Sequence, residues 1–215
     1  MKAPVFHGLV YIHADESCLG NQFGDRANPG GAAGLIEVFD ERRGWTRRDY
    51  YVSARDTTNQ RMALRSGIEG LKALTKPCRV CFYSDSNYLV TGMKDWVHGW
   101  ARRGWKRKGG PIENLDLWIQ LVKVAARHYS GRNGISWRWV RGHAGDPKNE
   151  YVNELAVDAA RGQKNSRSLI ESGFDAWVEA EQEKERLLDF LDLPPTDEFS
   201  PDSRPPNPPM PHDTP

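Results

Sequence analysis

Four residues in this chain of 215 have the type and setting for metal or acid–base chemistry: the adjacent acids Asp15 and Glu16, Asp85, and His143. Asp15 and Glu16 close an apolar, β-prone run, Leu9-Val10-Tyr11-Ile12, and precede a turn-like Ser17-Cys18-Leu19-Gly20-Asn21. Acids buried near a strand end are costly unless a cation or a hydrogen-bond donor offsets their desolvation. The pair therefore reads either as a divalent-metal site or as a solvated turn. Asp85 repeats the placement, because the short β-branched and aromatic run Cys78 to Tyr83 ends in Ser84-Asp85-Ser86. In a sheet with parallel strands, ligand sites form beyond the carboxyl ends of the strands, so the two acid positions are expected to be neighbours. A histidine alone is more often structural. His143 sits in Arg141-Gly142-His143-Ala144-Gly145, where flanking glycines favour exposure and proton transfer.

The elements that must position these residues follow from periodicity and punctuation. After the opening strand, Gly30 to Phe39 and Trp45 to Ser53 read as two more strands of an antiparallel meander. Thr57-Thr58-Asn59 is a helix N-cap signal, and Leu64, Ile68, Leu71 and Leu74 recur at helical spacing until Pro77. A helix is expected near Asn87 and another from Ile112 to about Tyr129. A strand follows from Ile135 to Val140, and a helix near Pro147 carries Asn149, Glu150, Asn153 and Glu154. Between Asp95 and Lys108, DWVHGWARRGWKRK combines Trp96, Trp100 and Trp105 with Arg102, Arg103, Lys106, Arg107 and Lys108. Aromatic faces beside cations suit a nucleic-acid backbone, and the same tryptophans could equally pack a local core that the cations keep soluble. A polar linker, residues 163–168, leads to a helix from Phe174 to about Leu191. Residues 194–215, with nine prolines among twenty-two, should be disordered or extended.

At 38% hydrophobic and 10% aromatic, the chain can bury one sizeable core and carry an appendage. Its net charge of +1 conceals an asymmetry. From Asp175 onward there are eleven acids and three bases, a net −8, which leaves +9 on residues 1–174. A basic body is compatible with a polyanionic partner and also with an ordinary solvated surface. The three cysteines, Cys18, Cys78 and Cys81, offer no second pair to complete a zinc site and read as reduced thiols. No apolar run nears the about 18 residues of a membrane span, and the N-terminus lacks the apolar core of a secretion signal, so a soluble cytoplasmic protein is expected.

With these pieces in order, the chain resembles a type 1 ribonuclease H from about Val5 to Gly162. The stretches that carry the likeness are YIHADESCLGN, TTNQRM, YSDSNY, DWVHGWARRGWKRK followed by ENLDLW, and WRWVRGHAGDPKNE. The resemblance implies an α/β fold, a five-stranded mixed sheet flanked by helices on both sides, to which the C-terminal helix and Pro-rich tail read from the residues are appended. It places the ribonuclease H domain at 1–162, and composition and periodicity place the linker and helix at 163–193 and the tail at 194–215. It implies an endonuclease that cuts the RNA strand of RNA–DNA hybrids to leave 5′-phosphomonoesters, using two Mg²⁺ or Mn²⁺ ions held by four acidic residues; a monomer is expected.

Asp15 and Asp85 match the family's first and third carboxylates, and His143 matches its catalytic histidine. Two acids are absent: Ala63 stands where the first helix has a glutamate, and Asn153 where the last helix has an aspartate. Asparagine can still offer a carbonyl oxygen to a hard cation, and alanine offers nothing. Glu16 stands where type 1 members usually have glycine, and the Asp15-Glu16 pair is similar to the Asp-Glu pair of the type 2 enzymes. The implied set is Asp15, Glu16, Asp85 and Asn153, with the glutamate moved from helix to strand. Strict alternation would point Asp15 and Glu16 to opposite faces, so the shift requires a bulge or the longer glutamate reaching round. The resemblance also places Asn21, Asn59 and Gln60 at the RNA minor groove. Thr58 falls at a DNA phosphate, Asn87 falls beside the hybrid, and Trp96, Trp100, Trp105 and the five cations fall on the DNA strand. The alternative is a catalytically silent hybrid-binding module of the same fold. A 3′ exonuclease of the related acidic class would need Asp-x-Glu, and here the two acids are adjacent.

Overall fold

A computed structural model of the chain describes residues 8–20, 28–196 and 198–209. Strands β1 (Leu9–Cys18), β2 (Asn28–Asp40) and β3 (Gly44–Thr57) form the expected antiparallel meander. The β2–β3 turn closes on Asp40, whose Oδ1 accepts from the amides of Arg42 and Arg43, and on Gly44 at φ 70°. Strands β4 (Arg79–Ser84) and β5 (Gly134–Trp139) then add in parallel beside β1. The sheet order is β5-β4-β1-β2-β3-β6. The sixth strand, β6 (Ile170–Glu171), pairs with Arg48 and Asp49 on the outer edge of β3. The five strands implied by the resemblance thus become six, and the two exposed residues of β6 carry no alternation that would mark it in the sequence.

Helices cover both faces, as expected. On β2, Gly30 lies under Thr57 and Met62, whereas the next residue, Gly31, lies under Ala156, Ala159 and Ala160. Neighbouring strand residues point to opposite faces, so α1 (Asn59–Lys72) and α5 (Pro147–Gly162) sit on opposite sides. The α1 face buries Val10, Ile12, Ala14, Ile36, Val80 and Phe82 against α1 and α4 (Leu115–Ala126). Both α1 and α5 begin on side-chain caps: Thr58 Oγ1 accepts from Arg61 N, and Asp146 accepts from Lys148 N and Asn149 N, with Pro147 in the first turn. Between β4 and α4, α2 (Asn87–Thr91) runs through one π-helical turn, Gly92–Trp96, into α3 (Val97–Arg102). Gly92 is needed there because any side chain would enter the Trp118 ring.

The α5 face holds a smaller apolar cluster, Leu35, Tyr151, Val152 and Phe174, beside a buried ionic group. Glu37, fully buried, accepts from Arg47 Nε at 3.0 Å and from Lys148 Nζ, and His13 Nε2 lies 3.3 Å away. Arg47 also pairs with Asp175 and Asp192, so the C-terminal appendage is tied to the sheet and to the start of α5. Helix α6 (Phe174–Glu183) stops eight residues short of the expected Leu191. Left-handed backbone at Glu185 and Leu187 turns the chain back, so that Phe190 packs on Phe174 and Asp192 reaches Arg47. In the Pro-rich tail, residues 198–209 take the extended alternative and lie against the outer edge of β5. Among the described residues, no helix is long and apolar enough to cross a membrane.

Candidate metal centre and nucleic-acid face

The β1–β4 ladder ends at Ala14 opposite Ser84, while β1 continues beside β2 with an unbroken register through Asp15–Ala33 and Glu16–Ala32. A gap therefore opens between the two strands just where the acids begin. No bulge interrupts β1, so alternation holds. Asp15 follows Tyr11 and His13 on the α5 side, and Glu16 follows Ile12 and Ala14 on the α1 side. Across the gap the longer glutamate closes the distance. One ligand oxygen from each of Asp15, Glu16 and Asp85 lies within 4.8 Å of the others. Ala63, by contrast, is fully buried within the apolar core beneath α1.

Three carboxyls this close resist ionisation. Burial and then the neighbouring Asp85 push the Asp15 carboxyl up to about 8, although its Oδ1 accepts from Glu16 N at 2.6 Å. Burial, then Asp15 and Asp85, hold Glu16 well above the usual carboxylate range, against a hydrogen bond from Ser86. Asp85 is raised by burial, with the Asp15 contact and His143 opposing. Glu16 Oε2 is enclosed and has no hydrogen-bond partner. An orphaned buried carboxylate oxygen among two other acids is what a hard divalent cation satisfies, and the all-oxygen donor set fits Mg²⁺ or Mn²⁺.

His143 lies on the loop before α5 at φ 51°, with its side chain 75% exposed and Nδ1 3.8 Å from Glu150 Oε2. Its neighbour Gly142 supports Asp85: a side chain there would occupy the place of the Asp85 carboxylate. From the other direction Trp139 Nε1 donates to Asp85 O at 2.9 Å. Asn153 is half-buried on α5, three residues beyond Glu150 and hence on the same side of the helix. Glu150, noted in the sequence only as one of four polar residues on this helix and given no site role, raises both Asp15 and Asp85 by its charge. Its spacing from Asn153 is the signal that could have marked it.

Of the expected hybrid-binding residues, Gln60, Trp96, Trp100 and Arg107 line one cleft. Thr58 is exposed at the α1 N-cap, Asn59 and Gln60 start the helix, and Asn87 is exposed two residues past Asp85 with Oδ1 accepting from Thr91. Gln60, Tyr88, Trp96, Trp100, Arg107, Ile112 and Glu113 line a cleft between α1 and the protrusion. All five cations, Arg102, Arg103, Lys106, Arg107 and Lys108, are exposed. The tryptophans divide. Trp96 is 37% exposed, whereas Trp100 and Trp105 are buried at the root of the protrusion, Trp100 packed edge-on to Trp118. Trp105 thus offers no face to a ligand, and the local-core reading holds for Trp100 and Trp105, whereas Trp96 and the cations stay exposed. Asn21 lies outside the described residues.

The family model for RNase H matches residues 7–161. The ribonuclease H of Bordetella bronchiseptica is 42% identical over 158 residues, covering 72% of this chain and 92% of that protein. That of Xanthomonas campestris pv. campestris is 40% identical over 156 residues, covering 72% and 94%. Among solved structures, LC9-RNase H1, described as a type 1 RNase H with the type 2 active-site motif, is similar at TM-score 0.81 and 44% identity over 96% of this chain and 97% of its own. A foamy viral protease-reverse transcriptase in complex with RNA/DNA hybrid is alike in fold alone, at TM-score 0.56 and 15% identity over 75% of this chain and 22% of its own.

Proposed function

This chain belongs to the ribonuclease H family, as an atypical type 1 member acting on RNA–DNA hybrids, and from that premise we propose that it cuts the RNA strand by a two-metal-ion mechanism in which Glu16 replaces the glutamate missing at Ala63. The observation that carries the proposal is the convergence of Asp15, Glu16 and Asp85 within 4.8 Å, with Glu16 Oε2 unpartnered. Asp15, Glu16 and Asp85 would hold two Mg²⁺ or Mn²⁺ ions, with Asn153 adding a neutral oxygen. Bound there, divalent cations supply Lewis acidity that readies water for attack at phosphorus and neutralises charge on the departing 3′ oxygen.

The protein's own residues do the rest. Gly142 leaves room for the Asp85 carboxylate and Trp139 Nε1 holds the Asp85 backbone carbonyl, so the residue is placed before substrate arrives. His143, exposed on its loop beside Glu150, moves protons during attack and product release. Hybrid recognition rests on shape: Asn59 and Gln60 meet the 2′-hydroxyl-bearing groove, and Trp96, with the five cations, meets the DNA strand. The α1 N-terminus at Thr58 adds unpaired amides suited to a phosphate. We place the protein in the cytoplasm as a monomer.

The test is cleavage of an end-labelled RNA–DNA hybrid by the parent, Asp15→Asn and Asp85→Asn proteins in Mg²⁺ or Mn²⁺. Cleavage confined to the RNA strand, abolished by chelation and by either substitution, is expected. Hybrid binding without cleavage at any metal concentration would overturn it.

A further inference from the structure

The protrusion is fixed to the body partly by residues that lie outside the matched ribonuclease H region, which ends at residue 161. Strand β5 is an outer strand, so alternate backbone groups of β5 point away from β4 and need partners elsewhere. Asp202 answers two of them. Its amide donates to Ile135 O at 2.9 Å, and its Oδ2 accepts from Trp137 N at 2.7 Å. The flanking contacts fix this register: Pro201 lies against Gly134, where a side chain would collide with it, and Phe199 stacks under the Arg79 guanidinium at 5.7 Å. Asp202 Oδ1 also lies 3.5 Å from Lys94 in the π-helical turn that leads into the protrusion.

From Asp202 the chain continues through Pro205, which is buried, and Pro206 to Asn207, whose carbonyl accepts from Trp105 Nε1 at 3.2 Å. Prolines keep such a segment extended at small entropic cost. Trp105 is the buried root of the protrusion. It is held at φ 58°, a left-handed conformation that costs about 1 kcal/mol or more for a side chain of this kind and persists only where surrounding contacts enforce it. Arg102, Arg103, Lys106, Arg107 and Lys108 remain exposed around it, while the tail's acid pairs with Lys94. The acidic tail therefore supports the basic protrusion from behind and leaves its cations open.

We propose that residues 198–209 are a strap that positions the hybrid-binding protrusion by tying its root, Trp105, to the outer edge of β5. The proposal rests on the protrusion's role in hybrid binding given above. Asp202→Ala in the full chain removes the contacts to Trp137 and Lys94. It should speed amide hydrogen exchange in residues 99–110, raise KM for the hybrid about five-fold, the worth of one hydrogen bond, and leave kcat within about two-fold. Asp202→Asn, whose amide oxygen can still accept from Trp137, should restore most of the parent's KM. A protein with all five cations replaced serves as the control for the protrusion itself. Exchange in residues 99–110 and KM both unchanged in Asp202→Ala, or kcat falling by as much as KM rises, would overturn the strap. If the five-cation protein binds hybrid as tightly as the parent, the protrusion's role fails and the strap's role in binding falls with it, whereas a raised KM there beside an unaltered one in Asp202→Ala refutes the strap alone.

Discussion

Raising magnesium affinity by raising pH is the most direct consequence of crowding Asp15, Glu16 and Asp85 together. Without a cation the Asp15 carboxyl, pushed up to about 8 by burial and by Asp85, still carries a proton at pH 6, and a ligand must lose it. For a single group at about 8, the ionised fraction grows roughly 50-fold between pH 6 and pH 8, and the apparent Mg²⁺ affinity should climb by that factor. Glu16 and Asp85 are raised in the same direction, so they steepen the dependence. The sign for stability is opposite. The folded, metal-free protein holds a proton that the unfolded chain releases above about pH 4, so stability falls as pH rises from there toward 8, and added Mg²⁺ should restore it. Titration calorimetry at pH 6, 7 and 8, in two buffers of different protonation enthalpy, reads both affinity and proton release. An affinity that stays within about two-fold across this range, with no proton released, would refute the burial and crowding that hold these carboxyls protonated.

Three further outcomes follow from individual contacts. The buried Glu37 carboxyl is opposed by burial, yet the His13 and Lys148 contacts bring it down to about 2 from 4.5. Its stabilisation, about 3 kcal/mol, is complete above pH 4.5 and lost as pH falls toward 2. Urea unfolding of Glu37→Gln should therefore lose this part of the parent's acid sensitivity, and parallel pH profiles would contradict it. Gly142→Ala should cut hybrid cleavage about 100-fold with circular dichroism unchanged, because the new methyl displaces the Asp85 carboxylate; parent-like activity would show that Asp85 tolerates the shift. Asn153→Asp adds the absent negative charge, so the Mg²⁺ concentration for half-maximal cleavage should fall by about ten-fold and any advantage of Mn²⁺ should shrink. Equal activity of the two proteins at low Mg²⁺ would speak against a ligand role for Asn153.

Much of the frame was legible because its signals are local. Asp15 and Asp85 each follow an apolar run near the end of a strand, and Thr58 caps the helix that its N-cap signal marked. The way Glu16 joins Asp15 depends on where the β1–β4 ladder stops, a property of pairing between distant segments, so the sequence left bulge and long reach as equal routes. The appendage was the least legible part. Arg47 meets Asp175 and Asp192 across separations of 128 and 145 residues, and no periodicity records such a contact. A clue existed in Glu37, an acid between Ile36 and Val38 on a strand otherwise apolar, which the hairpin register sets opposite Arg47. Trp105 shows the converse, since its spacing resembled that of Trp96 and Trp100, yet it is buried in the main core and its indole N–H is satisfied by Asn207 O in the tail.

The central claim is that Glu16 does the work of the absent helix glutamate. The measurement that tests it most directly is the single-turnover cleavage rate of a labelled RNA–DNA hybrid by the parent and by Glu16→Gln, in saturating Mg²⁺, with hybrid affinity measured alongside. Glu16→Gln keeps the side chain's length and removes its charge. A fall in rate of at least about 100-fold at unchanged hybrid affinity is the predicted result. A Glu16→Gln protein that cleaves at the parent's rate would contradict the claim and leave Glu16 an ordinary strand-end acid.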